Sequence, residues 1–109
     1  MMDYSKLTDK DINVLVGGAQ GFANKIAAQN GLRDYCNNPA DAWPIITANK
    51  ISIYAMSEAD KRGGWGAEAF HPNDAYSFND NPLRAAMIVF LMMQESANVP
   101  ANSTGSDLR

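Results

Sequence analysis

The longest unbroken apolar run is Ala85-Ala86-Met87-Ile88-Val89-Phe90-Leu91-Met92-Met93, preceded by Asn81-Pro82. Asn81 can cap a helix, and Pro82 at the first helical position gives up only an N–H that has no intrahelical partner. The pattern predicts a helix over about 82–95. It is apolar on all sides, so it is expected to be buried from several directions and to be central to the fold. Near the N-terminus, Thr8 reads as an N-cap with acids in the following turn. Leu7, Ile12, Leu15 and Val16 recur at helical spacing, Leu7 and Ile12 forming a hydrophobic staple. That helix is expected to end at Gly17-Gly18.

From Phe22 to Tyr35 the apolar pattern is weak. Asn30-Gly31 is a two-residue hairpin signal, which favours two short strands, while the alanines favour a competing helix over Ala23–Gln29. Asn37-Asn38-Pro39 is turn chemistry, and a second helix is expected from about Asp41 to Asn49, with Pro44 in its first turn. Ile51 to Met56 alternates as a half-buried strand does, 57–64 reads as a polar loop, and Trp65 to Phe70 reads as the returning strand of a hairpin. His71 to Asn79 reads as a loop with a turn at Pro72-Asn73-Asp74 and with Tyr76 and Phe78 as aromatic anchors. The expected fold is α+β: a small antiparallel sheet of hairpins packed against three helices, in one domain over 1–96. Residues 97–109 are low in apolar content and read as a flexible tail.

Composition narrows the classes. Hydrophobic residues make up 46% and charged residues 19%, and the net charge is −3. No basic cluster is longer than Lys61-Arg62, which argues against duplex nucleic acid. The single cysteine, Cys36, fits a reducing compartment. No signal peptide is read at the N-terminus, and the 85–93 run is about half of the roughly 20 residues that span a bilayer, so no membrane partner is expected.

Catalytic chemistry has thin support. One Cys and one His allow a Cys36–His71 dyad only if the fold unites them. The plainer reading makes Cys36 a buried filler and His71 a surface residue. No metal-ligand spacing exists, nothing singles out Asp41, Glu68 or Asp74 as paired carboxylates, and Gly17 to Gly21 lacks the ending of a phosphate loop. No enzyme, cofactor or metal is expected.

Anion binding is the sharper hypothesis. Arg84 falls in the first turn of the apolar helix, where the helix dipole disfavours a cation, and free N–H groups there attract anions. With Asn81 it could hold a phosphate or carboxylate. Trp43 and Tyr35 would wall or stack a nucleotide-like ligand, with Asn38 and Asp41 at the other Asn-Pro helix start. Tyr54 and Trp65 offer further flat faces. The alternative is that Arg84 pairs with Asp80 or another acid and the aromatics fill the core. A third reading is an interaction module: Met56, Met87, Met92 and Met93 could line an adaptable surface. A second copy could cover the apolar helix as a homo-oligomer, unless sheet and neighbouring helices suffice.

The stretches Asp34-Tyr35-Cys36-Asn37-Asn38-Pro39-Ala40-Asp41-Ala42-Trp43-Pro44-Ile45-Ile46 and Asn81 to Glu95, with the opening Tyr4-Ser5-Lys6-Leu7-Thr8-Asp9, resemble the NinX-like family of tailed phages and prophages. The resemblance implies an accessory protein acting in the host bacterial cytoplasm, outside the virion, and carries over no catalytic residue. Small phage proteins of this kind often counter host defence. By that analogy the expectation is sequestration of a nucleotide-derived signal, or inhibition of a host protein.

Overall fold

Residues 2–71 and 74–98 are described by a computed structural model. After a 3₁₀ turn at Tyr4–Lys6, the elements are α1 (Asp9–Gln20), α2 (Phe22–Gln29), α3 (Pro39–Ala48), β1 (Ser52–Ala55), β2 (Trp65–Ala69), β3 (Ala75–Asn79) and α4 (Pro82–Asn98). The strands form one antiparallel sheet in the order β1-β2-β3. The fold is α+β. The Pro72-Asn73 part of the turn and the tail from residue 99 lie outside the described residues.

α4 is the centre. It packs on β2 and β3, on α1 and α3, and on the end of β1. Every residue from Ala85 to Leu91 is buried, and Met93 with them. Cover on all sides comes from within one chain. The sheet face towards α4 carries Ala67, Ala69 and Ala75, all buried, and these short side chains let the helix lie close to the strands. The opposite face carries the row Tyr54–Gly66–Phe78. A Cβ on Gly66 would sit only 2.4 Å from the Tyr54 ring, so the missing side chain is where that ring lies.

Thr8 caps α1 through a reciprocal box with Asp11: the Asp11 N–H donates to Thr8 Oγ1 at 3.1 Å, and the Thr8 N–H to Asp11 Oδ2 at 3.3 Å. α1 does not stop at Gly17-Gly18; it continues to Gln20, and Gly21 with φ 143° makes the break. Gly17 has a packing role instead. α2 crosses it so closely that an added Cβ would lie 2.6 Å from the Asn24 carbonyl oxygen.

Residues 22–29 are helix and not the first of two strands, so the alanine-based alternative holds. Asn30-Gly31 ends that helix: Gly31, at φ 78°, is the left-handed residue of a Schellman cap in which the Leu32 N–H donates to Ala27 O at 2.8 Å. The left-handed position that Asn-Gly supplies serves a helix end as well as a hairpin. α3 begins at Pro39, two residues earlier than expected, because Asn38 caps it by accepting from the Ala40 N–H at 3.0 Å. Pro44 therefore lies in the second turn, where it lacks the N–H that would bond Ala40 O. α3 ends in a second Schellman cap, with Lys50 at φ 52° and the Ile51 N–H donating to Ile46 O at 3.0 Å. The stretch read as a loop before α4 contains β3, whose Ser77 and Asn79 point to the α4 side and mask the alternation.

Two neighbouring glycines should respond in opposite directions. Gly17→Ala is expected to destabilise by about 1–3 kcal/mol through overpacking against α2. Gly18→Ala, whose Cβ would meet nothing nearer than Lys25 Cδ at 3.8 Å, is expected to stabilise by up to about 1 kcal/mol through helix propensity. Urea denaturation of both variants checks the pair.

Candidate functional site

The residues singled out in the sequence gather largely around one polar junction, where the start of α4 meets α1 and the turn at 34–38. Arg84 is the hub. Its side chain is 12% exposed; Nη1 donates to Asp9 Oδ1 at 2.7 Å, and Nη2 donates to Leu7 O at 2.7 Å. Longer contacts of 3.4 Å reach the carbonyls of Tyr4 and Ser5. Of the two roles open to Arg84, the structure shows the ion pair, with Asp9 and not Asp80 as the acid. The unfavourable position of a cation in the first turn of α4 is offset by a carboxylate and by carbonyl oxygens of the preceding segment.

Asn81 is the cap of α4: its Oδ1 accepts from the N–H groups of Leu83 at 2.9 Å and Arg84 at 3.2 Å. Its Nδ2 donates to Cys36 O at 2.8 Å and Asn37 Oδ1 at 3.1 Å, tying the helix to the turn. The buried Asn13 of α1, which sequence reasoning passed over, completes the junction. It donates to Asp34 Oδ1 at 2.8 Å and accepts from the Cys36 N–H at 3.0 Å. A lone polar residue at a core-facing position between Ile12 and Val16 was the available signal. Asp41 braces the far side of the same turn by accepting from the Asp34 N–H at 3.0 Å, with Arg33 Nε 4.0 Å away. Asn38 is spent on capping α3. Tyr35 is buried, and burial pushes its phenol above the ordinary tyrosine range. Trp43 is not part of this group; it is 60% exposed on the outer side of α3.

The catalytic candidates do not assemble. Cys36 is fully buried, its Sγ 3.9 Å from the Asp9 carbonyl oxygen, and burial, with Asp9 adding to it, pushes the thiol up to about 12. His71 is exposed and lines a depression with Ala48, Asn49, Lys50, Phe70 and Met93. Cys36 and His71 have different surroundings. Glu68 and Asp74 do meet at the end of the β2–β3 hairpin, and a hydrogen bond to Asp74 holds the Glu68 proton to higher pH than usual. Both are at the surface, and Asp41 is elsewhere. Among the described residues no group of three or more His, Cys, Asp or Glu could hold a metal ion. No described helix is long and apolar enough to cross a membrane.

Exposed apolar residues concentrate elsewhere. α2 packs chiefly on α1, where Asn24 and Lys25 lie against Gly17, and it leaves Phe22 76% exposed and Ile26 37% exposed. Leu15 on α1 and Leu32 after α2 are also exposed. Residues 12–33 carry Lys25 and Arg33 and no acid. On the outer sheet face, Arg62 lies 4.1 Å from the centre of the Phe78 ring while its guanidinium grips Asp60 at 2.6 Å. Tyr76 packs beside Phe78 at 5.7 Å.

The structure is an α+β domain whose central apolar helix is pinned by an arginine to the first helix. The family model described as Bacteriophage P22, NinX matches residues 3–94, and the chain belongs to that family. No curated protein and no solved structure matches it at a significant level.

The Cys36 thiol gives a direct check on the junction. In the native protein it is expected to react with iodoacetamide at least about 100-fold more slowly than in the unfolded chain at the same pH, because thiolate and access are both lacking. Comparable rates in the two states would show that the junction opens readily.

Proposed function

We propose that this chain is a non-enzymatic phage accessory protein that works in the cytoplasm of the infected cell by docking on a host protein and inhibiting it, as counter-defence. The observation that carries this reading is the outward face of α2. A helix of 8 residues that packs chiefly on α1 and leaves Phe22 largely, and Ile26 partly, in solvent shows more apolar surface than folding alone requires. Large aromatic side chains on a rigid element are the usual anchors of protein interfaces. Lys25, on the same helix, and the absence of any acid from residues 12–33 suit an acidic rim on the partner. Arg84 plays no part in this reading, since its donors are directed at Asp9 and at backbone carbonyls.

A second reading keeps a small nucleotide-like ligand and moves it away from Arg84. What supports it is the outer sheet face, where Tyr54, Tyr76 and Phe78 lie near Arg62 and offer planes for a base.

The two readings separate in one set of measurements. Tagged protein expressed during infection is expected to retain a host protein at comparable amount, and Phe22→Asp, at a position 76% exposed, is expected to weaken retention about tenfold or more without lowering the melting temperature. Equal retention by that variant would contradict the docking reading. A rise in melting temperature with nucleotides or cyclic nucleotides, abolished by Phe78→Ala, would favour the ligand reading instead.

A further inference from the structure

Where α3 and β2 end, a depression of about 620 Å³ is lined by Ala48, Asn49, Lys50, Phe70, His71 and Met93. The lining holds one ammonium, one imidazole and no carboxylate, in a chain whose net charge is −3. Phe70, 63% exposed, offers a flat apolar surface, and Met93 is buried. Lys50 occupies a position that disfavours its residue type. It is the left-handed residue of the cap that ends α3, at φ 52°, whereas the other described residues of positive φ are glycines, and the matching cap of α2 uses Gly31. A side chain with a Cβ is strained there. The cap gives no reason for the ammonium. The carbonyls of Ile45, Ile46 and Thr47 already accept from the backbone N–H groups of Asn49, Ile51 and Lys50. The ion pairs among the described residues belong to Arg33, Arg62 and Arg84, and Lys50 is in none of them.

We propose that this depression binds a small planar molecule that carries a phosphate group, with Lys50 and His71 holding the phosphate and Phe70 stacked on the plane. Charge and shape argue together. A bare anion would engage Lys50 and His71 but leave Phe70 uncovered, and a neutral planar molecule would leave the ammonium unpaired. The volume of about 620 Å³ is in the range of pockets for small organic ligands, beyond what one inorganic ion needs. Lysine is a common point-charge partner of phosphate, and an imidazole N–H adds a directed donor. An aromatic ring takes a second ring in an offset stack. Ligand binding also accounts for a lysine kept at a left-handed position. A glycine there would relieve the backbone strain and hold no anion. The site shares no residue with the α2 face or with the face of Tyr54, Tyr76 and Phe78, so it stands or falls independently of both readings of function.

Titration of the whole chain with phenyl phosphate, followed by amide NMR shifts, is expected to give a dissociation constant of about 1 mM or below, with the largest shifts at Asn49, Lys50, Phe70 and His71. Lys50→Gly is expected to weaken binding about tenfold or more while raising the melting temperature, a combination that loss of folding cannot produce. Phe70→Ala, at an exposed position, is expected to weaken phenyl phosphate about fivefold and to leave the weaker binding of inorganic phosphate unchanged. Phe78→Ala is expected to leave the titration unchanged, which separates this site from a ligand on the outer sheet face. No saturable shift up to about 10 mM phenyl phosphate would overturn the proposal. So would undiminished binding or a lowered melting temperature in Lys50→Gly, loss of binding in Phe78→Ala, or inorganic phosphate bound as tightly as phenyl phosphate.

Discussion

The position of Arg84 constrains the rest of the molecule. The central helix begins with a cation where its own dipole repels one, and only a carboxylate and a cluster of carbonyl oxygens directed at the same point make that arrangement tolerable. Asp9 supplies the first and the segment just before α1 supplies the second. Because Asp9 is also a first-turn acid of α1, one carboxylate satisfies the N-terminus of its own helix and the misplaced cation of another. Asn81, capping α4 while bonded to the 34–38 turn, extends the tie to the segment that leads into α3. Three parts of the chain distant in sequence are thereby held at one corner.

That corner frees the rest of the surface from structural duty. α4 is covered by the alanine-lined sheet, α1 and α3, and α2 adds only Ala28 to the buried core. α2 is attached chiefly through α1, over a glycine that admits close approach, and carries exposed apolar side chains. Among the described residues, the sheet is likewise covered by a helix on one face and shows its aromatic side chains on the other.

Much of the fold was legible because its signals were local. The unbroken 85–93 run, the Thr8 cap and the β1–β2 hairpin each follow from a few adjacent residues. The failures share a cause: one residue type serves two geometries. Asn30-Gly31 supplies a left-handed residue to a helix end as readily as to a hairpin, and Gly17 reads as a terminator when it is a crossing point. β3 was hidden because Ser77 and Asn79 occupy the α4 side of the sheet among turn signals. Of the candidate site, the residues were found but their purpose was not. Asp9 and Arg84 are 75 residues apart, and nothing in either neighbourhood names the other. The exposure of Phe22 was equally invisible, since only the placement of α2 on α1 decides which of its sides is bare.

A double-mutant cycle on Asp9 and Arg84 tests the central claim most directly. Asp9→Asn, Arg84→Met and the double variant are compared with the natural chain by urea denaturation. The account predicts a coupling free energy of about 1–3 kcal/mol, as for a charge-assisted pair with one partner largely buried. A coupling near zero would contradict it, and would return Arg84 to the groups available for a ligand.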